Sequence, residues 1–229
     1  MIKNKDALLI TIFSIAACAL HAIMLQTQFN AYLFTSTFKV FIFILCPFLY
    51  FKVSRNGKLR DLISLFSMHG NRKNILQTFV LGLSVFLFIV IVFTLTLPLL
   101  DSEYIVSALE ANSITPGNAI FVFLYIVVIN AALEQFFFRG FVFMRLYKMD
   151  LKRYAHWYSA VLFSFYHIPI LFGAVSWAVL LLCTVGLIVA GLIFNFLAVR
   201  FNSITGSLIV HISANLALNL MIGVHFVFV

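Results

Sequence analysis

Long apolar runs alternate with short polar and basic segments along the whole chain. Runs close to the ~20 residues that an α-helix needs to cross a bilayer occur seven times. They cover residues 7–25, 31–51, 75–100, 118–138, 157–172, 175–199 and 203–228. The pattern predicts an all-α fold, a polytopic integral membrane helical bundle of about seven transmembrane helices, or eight if the third or seventh range is broken.

Composition supports a membrane location and limits the domain count. Hydrophobic residues make up 64% of the chain and charged residues 10%, whereas a soluble domain has roughly 25% charged residues. The 229 residues show no linker or internal repeat, which predicts a single membrane domain over 1–229. Within it, 1–117 holds the N-terminal spans and 118–229 holds the polar residues considered below.

The net charge of +8 comes from basic residues in short segments between spans. This distribution indicates how the chain is oriented in the membrane, and we expect no nucleic-acid partner. Lys and Arg residues precede the first span and occupy the segments after spans two, four and six, with Arg139 counted at the end of span four. Residues 101–117, on the opposite side, have three acidic residues and no Lys or Arg. Because basic loops stay in the cytoplasm, we expect a cytoplasmic N-terminus, and the composition indicates the plasma membrane of a bacterium.

One polar segment between spans two and three has two interpretations. Residues 58–69 (KLRDLISLFSMH) alternate apolar and charged positions roughly at helical spacing. The segment is predicted either as a helix lying on the cytoplasmic membrane surface or as a solvated basic loop.

Glu134 lies inside an otherwise apolar span, and this makes it the first candidate functional residue. A charge in hydrocarbon costs at least ~2.5–3.5 kcal/mol on insertion scales, so ionisable residues there usually serve a function. In the predicted topology His167, His211 and Asn215 lie at a similar depth, in the cytoplasmic half of the membrane. His211 and Asn215 are four residues apart and share a helix face. We therefore expect these four side chains to form one site.

The residue types in this set are suited to hydrolysis. A carboxylate can take a proton from water as a general base, and imidazole and amide groups can donate hydrogen bonds to an oxyanion. The same carboxylate and two imidazoles are alternatively a ligand set for a divalent metal such as zinc, although no HExxH sequence is present. Other buried polar residues have simpler interpretations: Asn130 is expected to be interhelical packing, and Lys39 has no assigned partner.

Three short motifs resemble those of a known family. Glu134–Gly140 (EQFFFRG) resembles its EExxxR motif, Phe163–His167 (FSFYH) its FxxxH motif, and His211–Asn215 (HISAN) its HxxxN motif. The family is CPBP, the CAAX-protease and bacteriocin-processing membrane proteases, also called Abi. All three motifs occur in family order, each in an apolar span, and together they cover the C-terminal half.

The resemblance implies roles for the same residues. It implies an intramembrane peptidase in which Glu134 activates water with help from His167, and His211 and Asn215 stabilise the oxyanion. The substrate implied is a membrane-associated peptide or protein in the lipid bilayer, with bacterial roles in bacteriocin or peptide processing and self-immunity. Metal dependence stays open; a bound metal would use Glu134, His167 and His211.

One position departs from the family motif. Gln135 replaces the second Glu of EExxxR. We expect it to hydrogen-bond Arg139, as a weaker substitute for an ion pair, or a neighbouring backbone group. This departure favours an alternative, a catalytically weak or inactive member that acts as a membrane scaffold or immunity protein. A proton-coupled transporter also uses intramembrane Glu and His residues, but the chain has no visible inverted repeat.

Overall fold

The computed structural model describes residues 2–26, 32–67, 72–172 and 175–227, and this part of the chain is helical without a strand. Short 3₁₀ turns cover Ser64–Phe66 and Leu97–Leu99, and a π-helical turn covers Gly223–Val227. The helices are α1 Ile2–Leu25, α2 Tyr32–Ser54, α3 Leu59–Ile63, α4 Arg72–Thr96, α5 Ser102–Ala111, α6 Ala119–Lys148, α7 Lys152–Leu171, α8 Trp177–Phe201 and α9 Thr205–Ile222.

The predicted helical membrane bundle is confirmed. In the described ranges six segments, those of α1, α2, α4, α6, α8 and α9, are both long and apolar enough to cross a membrane. The helix at the predicted fifth span, α7, has 20 residues but is more polar than the others. Its polar residues have a structural reason, because Ser159, Ser164 and Tyr166 are buried in the protein interior.

The fourth span is longer than predicted. The sequence pattern placed its end at Phe138, but α6 continues through Arg139 to Lys148. Apolar residues resume directly after Arg139, and Arg139 itself is completely buried, so its charge does not end the helix. The prediction that Arg139 is a loop charge is therefore wrong, and Glu134 lies near the middle of α6 rather than near its end.

The backbone of α6 departs from regular α-helical geometry on both sides of Glu134. Tyr125–Asn130 and Gln135–Met144 are π-helical, and Ala131–Glu134 between them is α-helical. π-helical turns are rare and occur often at functional sites. Every residue of Gln135–Met144 is buried, so this segment contributes side chains to the interior in all directions.

The other long helices surround α6 in packed pairs. α4 packs chiefly on α9, α7 packs on α8, and α1 packs on α2 and α7. The interior is rich in aromatic rings: the rings of Phe43 on α2 and Phe137 on α6 are stacked 4.1 Å apart. Phe138 makes edge-on contacts with Phe43 and with Phe163 of α7. This aromatic core fixes α2 and α7 against the centre of α6.

The segment after α2 is a short helix rather than a solvated loop. In α3 and the turn after it, the side chains of Leu62 and Leu65 are buried. The hydroxyl of Ser203 donates a hydrogen bond of 2.8 Å to the carbonyl of Leu65. These contacts attach the segment to the protein, and the solvated-loop interpretation is wrong. The end of the predicted segment, residues 68–69, lies outside the described residues.

Close packing of α7 and α8 gives a test of the fold. A Cβ atom at Gly191 would lie 2.8 Å from the Cα and 2.9 Å from the Cβ of Ala160. We expect Gly191→Ala to lower the free energy of unfolding by about 1–3 kcal/mol, the typical cost of overpacking. The matched control is Gly186→Ala on the same helix, where a Cβ meets nothing within 4 Å. Equal thermal midpoints for the two variants in detergent would contradict the packing described here.

Candidate active site

The two oxygens of the buried Glu134 carboxylate have different surroundings. Oε1 accepts hydrogen bonds from Nδ2 of Asn130 at 2.9 Å and from the hydroxyl of Tyr166 at 3.2 Å. Oε2 has no hydrogen-bond partner within the described chain. The side chain is only 2% exposed, so one oxygen is hydrogen-bonded within the buried site and the other is not.

A lysine from the N-terminal half completes the surroundings of Oε1. The Nζ atom of Lys39 on α2 lies 3.6 Å from Oε1 of Glu134 and donates a hydrogen bond to Oδ1 of Asn130. The sequence left Lys39 without a partner and assigned Asn130 to packing, so both roles were missed. A signal was available: a buried lysine requires a counter-charge, and Glu134 is the acidic residue predicted inside a span.

Two imidazoles converge on the free oxygen. The Nε2 atoms of His167 and His211 lie 3.9 Å and 3.7 Å from Oε2 of Glu134. These distances are too long for direct hydrogen bonds. Each distance can be bridged by a water that is hydrogen-bonded to Oε2 and to that ring nitrogen. The structure therefore brings together three of the four residues that the sequence nominated as a site.

The contact of the second ring nitrogen fixes the tautomer of His167. Its Nδ1 lies 2.7 Å from the carbonyl oxygen of Phe163. A carbonyl only accepts hydrogen bonds, so Nδ1 carries the proton. The Nε2 atom of the neutral ring then presents its lone pair toward Oε2 of Glu134, and a water between them can donate to it.

His211 has the opposite tautomer. Its Nδ1 lies 3.0 Å from the amide nitrogen Nε2 of Gln135. An amide nitrogen donates, so Nδ1 of the imidazole is the acceptor and its Nε2 carries the proton. The two histidines thus present an acceptor and a donor at the same carboxylate oxygen.

The predicted contact between Gln135 and Arg139 is absent. The amide of Gln135 is directed to His211, while the guanidinium of Arg139 lies against the rings of Phe163 and Phe194, 4.0 Å and 4.8 Å from their centroids. Aromatic faces attract a cation, and this contact turns Arg139 away from Gln135. The predicted partner of Gln135 was Arg139, and this prediction is wrong because the amide contacts His211 instead.

Asn215 lies one helical turn after His211 and contacts the backbone of α6. Its Nδ2 donates a 3.1 Å hydrogen bond to the carbonyl of Ile126, in the first π-helical segment. The bond ties α9 to α6 close to the two imidazoles. Asn219 continues this polar face of α9, since its amide donates to the carbonyl of Asn215.

The same three side chains, Glu134, His167 and His211, are the candidate ligands for a divalent metal. No group of three or more His, Cys, Asp or Glu side chains is arranged to hold a metal ion within residues 2–26, 32–67, 72–172 and 175–227. The two imidazoles meet at one carboxylate oxygen, and Nε2 of His211 carries a proton and has no lone pair to offer.

A family model described as "Rce1-like: Type II CAAX prenyl endopeptidase Rce1-like" matches residues 116–217. This segment is similar to the CAAX protease family. The match confirms the family resemblance that the three motifs indicated. No curated protein and no solved structure matches the chain. Lys39 lies outside the matched residues, so the CAAX protease segment does not contain all of the charges at the site.

The contact between Lys39 and Glu134 predicts non-additive stability. We expect Lys39→Met to lower the free energy of unfolding by about 3–5 kcal/mol, because it leaves a buried carboxylate without its cation. Glu134→Gln in the Lys39→Met background should recover much of this loss, since a neutral amide needs no counter-charge. Unfolding in detergent of both single variants and the double variant completes the cycle.

The control for this cycle is Lys52→Met on the same helix, where the lysine is exposed. Its effect should stay within about 0.5 kcal/mol. Losses that simply add in the double variant would show that Lys39 and Glu134 do not interact.

Proposed function

We propose that this protein is an intramembrane endopeptidase that hydrolyses a peptide bond of a membrane-associated peptide or protein with a water activated by Glu134. The observation that carries the proposal is the unpartnered Oε2 of Glu134 between the Nε2 atoms of His167 and His211. The family match, whose description names an endopeptidase, supports the same reaction class.

Each step of the proposed reaction is assigned to particular atoms of the site. A water donates one hydrogen bond to Oε2 of Glu134 and one to the lone pair of Nε2 of His167. Glu134 takes a proton, and the hydroxide attacks the carbonyl carbon of the substrate. The oxyanion that forms accepts a hydrogen bond from the Nε2–H of His211, a donor most useful in the transition state. Glu134 then returns its proton to the leaving amine as the C–N bond breaks.

Three further side chains prepare the carboxylate for this role. Lys39, Asn130 and Tyr166 all act on Oε1, which keeps the carboxylate in one rotamer with Oε2 directed toward the imidazoles. Such preorganisation costs no rearrangement during the reaction. Asn215 is proposed to support this geometry by holding α9 on α6. This role is in addition to the oxyanion stabilisation that the family resemblance implies for it.

The proposed biological role is peptide or bacteriocin processing, or self-immunity, in a bacterial plasma membrane with the N-terminus in the cytoplasm. The alternative is a weak or inactive scaffold or immunity protein, and Gln135 was the feature in its favour. The contact of Gln135 with His211 supports catalysis instead, because it orients a donor toward the site. A single substitution distinguishes the two roles.

Glu134→Gln is expected to abolish proteolysis while the protein still folds, because the amide retains an acceptor for Lys39 but cannot take a proton. Mass spectrometry of membrane peptides from cells expressing wild type or variant is the measurement. Glu110→Gln, at an exposed glutamate, is the matched control and should leave the peptide pattern unchanged. An unchanged pattern for Glu134→Gln would favour the scaffold.

Metal removal tests the proposed source of the activated water. We expect purified protein to retain at least most of its peptidase activity after dialysis against a chelator, since the mechanism uses only side chains. Elemental analysis of the same sample should find zinc well below one ion per chain. Loss of activity on chelation, restored by zinc, would show that a metal ion activates the water and would contradict the proposed metal-free mechanism.

A further inference from the structure

Arg139 is a buried charge without an acceptor. Its side chain is 0% exposed, and Nε, Nη1 and Nη2 of the guanidinium all lack a hydrogen-bond partner in the part of the chain that the structure describes. Its contacts are the aromatic rings of Phe138, Phe163 and Phe194. Ring faces attract a cation, but they accept none of the five hydrogen bonds that a guanidinium donates.

The remaining carboxylates of the chain are not available to Arg139. All seven acidic residues fall in the described ranges. Asp6 accepts a 2.9 Å hydrogen bond from Asn56, and five others are on the surface. These five are Asp61, Asp101, Glu103, Glu110 and Asp150.

Glu134, the seventh, is already paired with Lys39 at 3.6 Å. The other buried acid, Asp6, is engaged with Asn56, so among the described side chains the charges around Glu134 are Lys39 and Arg139 with one carboxylate. One positive charge is left without compensation in a low-dielectric interior, where an unpaired charge is strongly unfavourable. A guanidinium cannot lose its proton to avoid this cost.

A negative charge is missing near Arg139 because the residue one turn before it is Gln135 rather than a glutamate. Gln135 is neutral, and its amide nitrogen is engaged with Nδ1 of His211. A glutamate at this position would bring a carboxylate into the same buried segment. We propose that Arg139 instead binds a small monovalent anion, chloride under ordinary conditions, through its unpartnered N–H groups. Guanidinium groups favour anionic acceptors because both the charge and the donor geometry match.

Anion-dependent stability of the purified full-length protein tests this site without requiring a substrate. Thermal unfolding in detergent is measured in sodium chloride and in sodium gluconate at equal ionic strength, because gluconate is too large for a buried site. A ligand that binds only the folded protein raises its stability in a saturable way. We expect the wild-type midpoint to rise by several degrees as chloride replaces gluconate.

Gln135→Glu is the decisive variant. It supplies an internal carboxylate, so the midpoint should become equal in the two salts and at least as high as that of the wild type in chloride. Arg139→Met should also remove the chloride dependence if it folds. Arg153→Gln, at an exposed arginine of α7, is the matched control for surface salt effects and should retain the wild-type response.

Two results would overturn the proposal. One is a wild-type midpoint that is identical in chloride and gluconate. The other is a chloride response of wild-type size in Gln135→Glu. Crystals grown in bromide give a direct check, since the proposal requires an anomalous peak in contact with the guanidinium of Arg139, and a map without one contradicts it. Peptidase activity enters none of these measurements, so the anion site and the proposed function succeed or fail separately.

Discussion

The buried contact between Lys39 and Glu134 is the constraint on which the site depends. Taking two opposite charges out of water costs several kcal/mol for each ion, and their attraction offsets this only with good geometry and additional hydrogen bonds. Asn130 and Tyr166 supply those bonds on Oε1. Because Lys39 is on α2, Glu134 on α6 and Tyr166 on α7, one electrostatic requirement positions three helices. It also makes the N-terminal half of the chain part of the site.

The same contacts make the two oxygens of the Glu134 carboxylate inequivalent. Three neighbours lie at Oε1, while Oε2 has no hydrogen-bond partner among the described residues and lies near two imidazoles whose tautomers differ. The carbonyl of Phe163 selects one tautomer of His167, and the amide of Gln135 selects the other for His211. Opposite hydrogen-bonding properties at one oxygen are what an activated water and a developing oxyanion require. The departure from the family motif at Gln135 therefore has a chemical consequence at His211.

The π-helical geometry of α6 explains why so many polar groups meet in an apolar helix. The second π-helical segment buries all ten of its residues, including Gln135 and Arg139. Arg139 enters the interior with an aromatic face rather than an acid for a partner. The charge balance of the interior thus differs from what the motif EExxxR suggests, and the anion proposed at Arg139 would restore it.

The sequence alone determined the membrane bundle and most helix positions, and it nominated the residues of the proposed reaction. A helix in lipid must satisfy its own backbone hydrogen bonds, so local hydropathy is sufficient to locate it, and shared depth was sufficient to group Glu134 with the two histidines. Tertiary structure decided the partners: Lys39 for Glu134, His211 for Gln135, and aromatic rings for Arg139. These depend on how each helix is rotated against its neighbours, and here π-helical winding changes that rotation in a way that local periodicity does not record.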